Sequence, residues 1–208
     1  MKMKNIMRLF LVLALFSIIS CGQRDPNKHI DEGNVKGEIY TSEEMGWTIE
    51  IPKGWTVVSK DKLEALEEKG EKAIAEVAGE IDFSEIKHLI SFQKGQFNFF
   101  QSTSESMPLE YEGEWENNHA GLKELLYETY TNQGIKLDTS SSKALLDDFE
   151  FEVFKLTIYD QTGKVILYQE MYSRYINGSD FGVNINYNND KDRDTMMKAL
   201  KNSKFKKG

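Results

Sequence analysis

Between Gly46 and Val58 the chain reads Gly-Trp-Thr-Ile-Glu-Ile-Pro-Lys-Gly-Trp-Thr-Val-Val. Trp47, Ile49 and Ile51 alternate with Thr48 and Glu50, the two-residue period of a half-buried strand. Pro52 and Gly54 break the ladder, because proline has no N–H to donate and glycine admits unusual φ. Trp55, Val57 and Val58 resume an extended run. The pattern predicts a strand that enters the core, turns and comes back, with a tryptophan on each side of the turn. Glu38 to Thr41 predicts a short strand before it. From Asp61 to about Ala78, Leu63, Leu66, Ala73, Ile74 and Val77 are spaced as on an amphipathic helix. Ser59 is its expected N-cap and Gly79 its stop. Gly70 weakens it by about 1 kcal/mol relative to alanine.

The later pattern is mostly β. His88–Phe92 and Gln96–Phe100 predict two strands joined by a turn at Lys94-Gly95, and polar Ser102–Tyr111 predicts a loop. A second helix is expected from about Trp115 to Asn132, with Leu122, Leu125, Leu126, Thr129 and Tyr130 as its stripe. Lys136–Ala144 reads as extended. In Phe149–Tyr159 the apolar set changes phase, from Phe149, Phe151 and Val153 to Phe154, Leu156 and Ile158, which predicts a bulge near Val153. Gln161–Lys164 is a hairpin turn, Val165–Ile176 the return strand, and Asn177-Gly178 a second turn of the strongest hairpin type. Phe181, Val183, Ile185 and Tyr187 mark the last strand. Asn188 or Asn189 caps a helix through about Leu200, whose lysine-rich end suits its negative pole. A meander with helices packed on it implies a single-domain α+β fold, mainly antiparallel.

Strand, Pro-x-Gly-Trp, strand and helix near the front, then a long meander and a short final helix, resembles the PsbP-like α/β/α sandwich superfamily. The likeness rests on Gly46–Trp55 and on Phe181–Phe205. It implies an α/β/α sandwich and an accessory role. Better-known members help organise the oxygen-evolving complex of photosystem II or bind a small GTPase. The Pro-x-Gly-Trp turn is a packing signature, so the resemblance transfers no ligand-contact residue.

The N-terminus changes the picture. Lys2, Lys4 and Arg8 precede an apolar run, Leu9 to Phe16 with Ile18-Ile19, too short for a comfortable membrane span. Ile18-Ile19-Ser20-Cys21-Gly22 resembles the lipobox of bacterial lipoproteins, which implies cleavage before Cys21 and a diacylglycerol on its sulfur. Residues 1–20 are therefore expected to be a signal peptide. Residues 21–36 are expected to be the lipidated cysteine and a flexible tether, and residues 37–208 the domain. The expected partners are a membrane, held through Cys21, and a protein of the cell envelope. Gly22 is not the aspartate that favours inner-membrane retention, which in a Gram-negative envelope favours the outer membrane.

Charge and candidate chemistry narrow the function. The net charge is −8, and three of the positive residues lie before Cys21. An acidic chain is a poor nucleic-acid binder, since phosphate binding rests on clustered Lys and Arg. Cys21 is the sole cysteine, so neither an intramolecular disulfide nor a cysteine metal site forms. His29, His88 and His119 are not at metal-ligand spacing, and neither a Gly-x-Ser-x-Gly elbow nor a glycine-rich phosphate loop occurs. No cofactor and no enzymatic activity are expected. Glu110, Glu112, Glu114 and Glu116 around Tyr111 and Trp115 have the look of paired glycosidase acids. They sit at a loop-to-helix junction, however, where acids favour the helix N-terminus. Asp190, Asp192 and Asp194 alternate like a calcium loop, but Thr195 and Lys201 stand where such a loop needs glycine and glutamate. Trp47, Trp55, Trp115, Tyr168, Tyr172 and Tyr187 are candidates for a partner or ligand surface, against the alternative of core packing. The primary expectation is a lipid-anchored, non-enzymatic binding module. A small-ligand carrier and a carboxylate hydrolase are the alternatives.

Overall fold

The computed structural model describes residues 25–79 and 82–206; the expected signal peptide and Cys21 lie outside the described residues. The opening strands do not form the expected hairpin. β1 (Asn34–Lys36), β2 (Ile39–Ser42) and β3 (Trp47–Glu50) form a small antiparallel sheet, while β4 (Thr56–Val57) belongs to a second sheet. The Pro52–Gly54 turn therefore carries the chain from one sheet to the other, and a tryptophan is buried on each side of it. Helix α1 (Lys60–Ala78) follows, then β5 (Lys87–Lys94) and β6 (Asn98–Ser106). The expected loop after Phe100 is strand as far as Ser106. Its serines are small enough to lie under the small sheet, and Ser102 Oγ donates to Ile90 O at 2.8 Å.

Helix α2 (Glu114–Asn132) leads into the meander β7 (Lys136–Leu146), β8 (Phe149–Tyr159), β9 (Val165–Ile176) and β10 (Ser179–Tyr187). Helix α3 (Asp190–Asn202) and a short β11 (Lys204–Phe205) close the chain. The large sheet runs β4-β5-β6-β10-β9-β8-β7, and β11 returns to pair with β3, Phe205 opposite Trp47. Asn189 caps α3, its Oδ1 accepting from Asp192 N at 2.9 Å. The result is α+β in three layers: α1 and α2 on the outer face of the large sheet, and α3 with the small sheet on its inner face.

The bulge expected near Val153 is absent: β8 stays in register with β7 throughout and with β9 from Glu152 to Ile158. The apolar phase changes because the covering layer changes. Phe151 and Val153 face the inner core, whereas Phe154, Leu156 and Ile158 face Leu126 and Tyr130 of α2. The tether expectation also fails from Asp25 onward. Residues Pro26–His29 form a 3-10 turn capped by Asp25, and both amide atoms of the Asn27 side chain bond Val35. Asp31 N donates to His88 O at 2.8 Å, and His88 N returns a bond to Asp31 Oδ2 at 2.9 Å. Polar, Pro- and Gly-containing composition reads as a linker, yet short Asx side chains can stitch such a segment down. Gly33 is needed here, since a Cβ would lie 2.4 Å from Thr41 O.

Trp47, fully buried, is the centre of the inner core. Its ring lies 5.0 Å from Phe181 of the large sheet and 6.2 Å from Phe205, and Phe205 in turn packs on Phe149 and Phe151. On the same face of the large sheet Glu170, 2% exposed, is a buried anion with four partners. Tyr172 Oη, Tyr187 Oη and Arg193 Nε donate to it at 2.6, 2.8 and 2.9 Å, and Lys155 Nζ lies at 3.5 Å. Burial opposes its charge, but these donors outweigh burial and hold its carboxyl down to about 2.

Phe205→Ala is expected to cost about 3–5 kcal/mol in urea unfolding, because the ring leaves a cavity between the sheets; a loss under about 1 kcal/mol would detach the C-terminal strand from the core. Glu170→Gln is expected to cost about 3 kcal/mol at neutral pH. A depressed carboxyl contributes stability above its unfolded pKa and loses it as pH falls. The gap between variant and wild type should therefore close between about pH 4.5 and about 2, read from unfolding curves across that range.

Candidate functional site

The sequence-selected aromatics turn out to be core. Trp47, Trp55, Tyr172 and Tyr187 are buried in the inner layer, and Tyr168 is half-buried and stacked on Tyr187 at 5.1 Å. Trp115 is also buried, but it lies on the outer side and lines a cleft. Cys21 falls outside the described residues. Glu110, Glu112 and Glu116 are exposed, and Glu114 accepts from the Glu110 amide, so these acids stand at the entry to α2 without capping it. Asp192 pairs with Lys94 at 2.7 Å and stands in the first turn of α3. Among the described residues no group of three or more metal-ligating side chains is assembled.

Surface clefts lie over the outer face. Its central rows are polar: the cross-strand sets His88–Thr103–Gly182 and Ser91–Gln101–Asn184 run across β5, β6 and β10. Polar rows give the helices little to bury, and α1 accordingly buries one residue of its nineteen, Leu63. Polar contacts add to its attachment. Lys60 Nζ lies 2.8 Å from Asp31 Oδ1, the Lys60 amide donates to His29 Nδ1 at 3.2 Å, and Glu67 Oε1 lies 2.8 Å from His88 Nε2. Asp31, Lys60, Glu67 and His88, with Glu64, Glu71 and Asp82, surround an open cleft of about 620 Å³. Burial works against the Asp31 charge, but Lys60 and the His88 amide outweigh it and hold that carboxyl low. Burial raises Glu67, and His88 offsets this only in part. Gly70, Ile74, Phe83 and Ile86 make an apolar slot beside the cleft.

A second cleft, about 290 Å³, lies between α2 and the β6–β10 pair. Its carboxylates are Glu105 and Asp180, direct partners across the two strands, with Cα atoms about 5 Å apart by the geometry of such pairs. Trp115 Nε1, from the first turn of α2, donates to Asp180 Oδ1 at 2.8 Å and fixes that carboxylate. His119, one turn on, stacks on Trp115 with ring centres 5.2 Å apart. It is 6% exposed, lines the cleft, and makes no hydrogen bond to any described residue. Burial and then Lys123 lower its pKa, so it is a neutral imidazole with a free acceptor at pH 7. Burial raises Asp180, offset in part by Trp115; burial, Asp180 and then Glu85 raise Glu105.

Four other acids face a cation of the chain: Asp31 faces Lys60, Glu67 faces His88, Asp192 faces Lys94, and Glu170 faces Arg193. Among the described residues no Lys, Arg or His lies within ion-pair reach of Glu105 or Asp180. Two acids beside a tryptophan raise the question of hydrolysis. Burial raises both carboxyls, and the geometry shows Trp115 holding Asp180 beside Glu105. The arrangement holds charge and accepts hydrogen bonds. Asp180→Asn keeps an acceptor for Trp115 while removing a desolvated charge. A raised carboxyl favours the fold at low pH and loses that advantage as pH climbs through its folded pKa. The variant should therefore match or exceed wild-type stability at pH 7, by about 1 kcal/mol, with the difference fading as pH falls below about 4. Thermal unfolding at pH 7 and pH 3.5 checks this, and a variant less stable than wild type at pH 7 would contradict it.

No family model matches the chain, and a search of curated proteins finds no match. Among solved structures it is similar to the solution structure of cyanobacterial PsbP (CyanoP) from Synechocystis sp. PCC 6803. The two share 8% sequence identity, with a TM-score of 0.54 over 84% of this chain and 96% of that one. At this identity the likeness concerns the fold, and in fold the domain is PsbP-like.

Proposed function

We propose that this chain is a lipid-anchored, non-enzymatic accessory module of the bacterial cell envelope that acts by binding another protein. The observation that carries the reading is the sole cysteine, placed in Ile18-Ile19-Ser20-Cys21 at the end of a basic-then-apolar leader. The PsbP-like fold supports an accessory role. The paired-acid cleft supports binding, because Trp115 holds Asp180 beside Glu105 in an open pocket.

The described residues start at Asp25, four after Cys21, so the anchor can lie no more than roughly 14 Å from them at about 3.5 Å per residue. Anchored through Cys21, the domain lies against the membrane surface. The end nearest the anchor carries His29, Asp31 and Lys60. A diacylglycerol supplies two buried chains, enough for stable attachment. Fractionation of cells expressing the full chain tests the anchor. Wild type should label with radioactive palmitate and sediment with membranes, while Cys21→Ala should do neither. A wild-type chain that stays soluble and unlabelled would end the anchored reading.

A further inference from the structure

We propose that the cleft between α2 and the β6–β10 pair is a binding site for a guanidinium group. Its two carboxylates, Glu105 and Asp180, are strand partners and have no cation of the described chain beside them. They present acceptors side by side, as the planar fork of a guanidinium requires. His119 supplies the second, independent pointer to a ligand. It is a nearly buried side chain that lines the cleft and bonds to no described residue, and a neutral imidazole nitrogen accepts from a donor. The two carboxylates accept, and the imidazole offers one accepting nitrogen beside its N–H, so the cleft favours a positively charged ligand rich in donors.

The walls fit the same class. Trp115 is held in place by its bond to Asp180, and with His119 it lends the cleft an aromatic side, on which guanidinium planes stack. A divalent metal fits less well, since no set of three ligating side chains is assembled among the described residues. The volume, about 290 Å³, admits one small group rather than a segment of chain. The guanidinium comes either from an arginine side chain of a partner protein or from a free small guanidine compound. The site is independent of the lipid anchor, so its failure would leave the anchored reading in place.

The test is a titration of the full-length chain in detergent, followed by the Trp115 Nε1–H resonance. The probes are agmatine, the blocked peptide acetyl-Gly-Arg-Gly-amide, and the same peptide with uncharged citrulline for arginine. The arginine peptide or agmatine should shift the resonance to saturation, and the citrulline peptide should not. Glu105→Gln, which changes an exposed side chain and should fold normally, is expected to weaken binding at least about tenfold, as is Asp180→Asn. Glu116→Gln, an exposed acid on the same helix, should leave it unchanged. Tighter binding of the peptide points to a partner's arginine, and tighter binding of agmatine to a free compound. The site is overturned if no probe moves the resonance at about 10 mM, if citrulline binds as well as arginine, or if Glu105→Gln binds like wild type.

Discussion

Trp47 holds two sheets together, and most of the architecture follows from that. Its ring sits in the small sheet and meets Phe181 of the large sheet and Phe205 of the returning tail. The indole N–H is buried without a described partner, which costs on the order of 1–3 kcal/mol. The contacts around it outweigh that cost, since a buried aromatic contributes both area and ring-edge geometry. With most large apolar residues of β5, β6 and β10 committed to this inner layer, the outer side of the same strands keeps polar residues in its central rows. The helices there are docked mainly at their ends and by ion pairs. Clefts on this side are the consequence of an inner face that absorbs most of the large hydrophobes.

The local pattern identified nearly every element, because each long strand or helix repeats its period over many residues. Helix α1 was legible from five apolar positions, and β10 from four. The partners of those elements were less legible. Gly46–Val58 reads as a hairpin, since strand, turn and strand in succession normally pair. Only the competing pull of Phe181 and Phe205 on Trp47 sends its two halves into different sheets. The phase change in β8 reads as a bulge, since alternation alone cannot distinguish an extra residue from a change of covering layer. β11 has two residues and no period at all.

The folded segment from Asp25 shows the same limit at smaller scale. Its Asn, Asp, Pro and Gly are the residues of a linker, and they are equally the residues of caps and tight turns. What decides is whether an acceptor waits nearby. Here Val35 meets Asn27, and His88, more than fifty residues along the chain, meets Asp31. Composition carries no information about that meeting.

The outer cleft depends on a coincidence of the same kind. Trp115 and His119 were singled out from the sequence, one for its size and one for its chemistry. Glu105 and Asp180 drew no attention, because one ends a run of serines that reads as loop and the other follows a hairpin turn. Antiparallel pairing of β6 with β10 makes them neighbours, and α2 then lays its first turn over them. Consistency across levels would place a lysine or arginine beside such a pair, as it does for Asp31, Asp192 and Glu170. Two desolvated carboxyls left to repel each other weaken the fold slightly, and nothing in the packing of the sheet requires them. A chain that pairs Asp31, Glu67, Asp192 and Glu170 with cations but leaves Glu105 and Asp180 without one presents, in this cleft, the electrostatic complement of a cation supplied from outside.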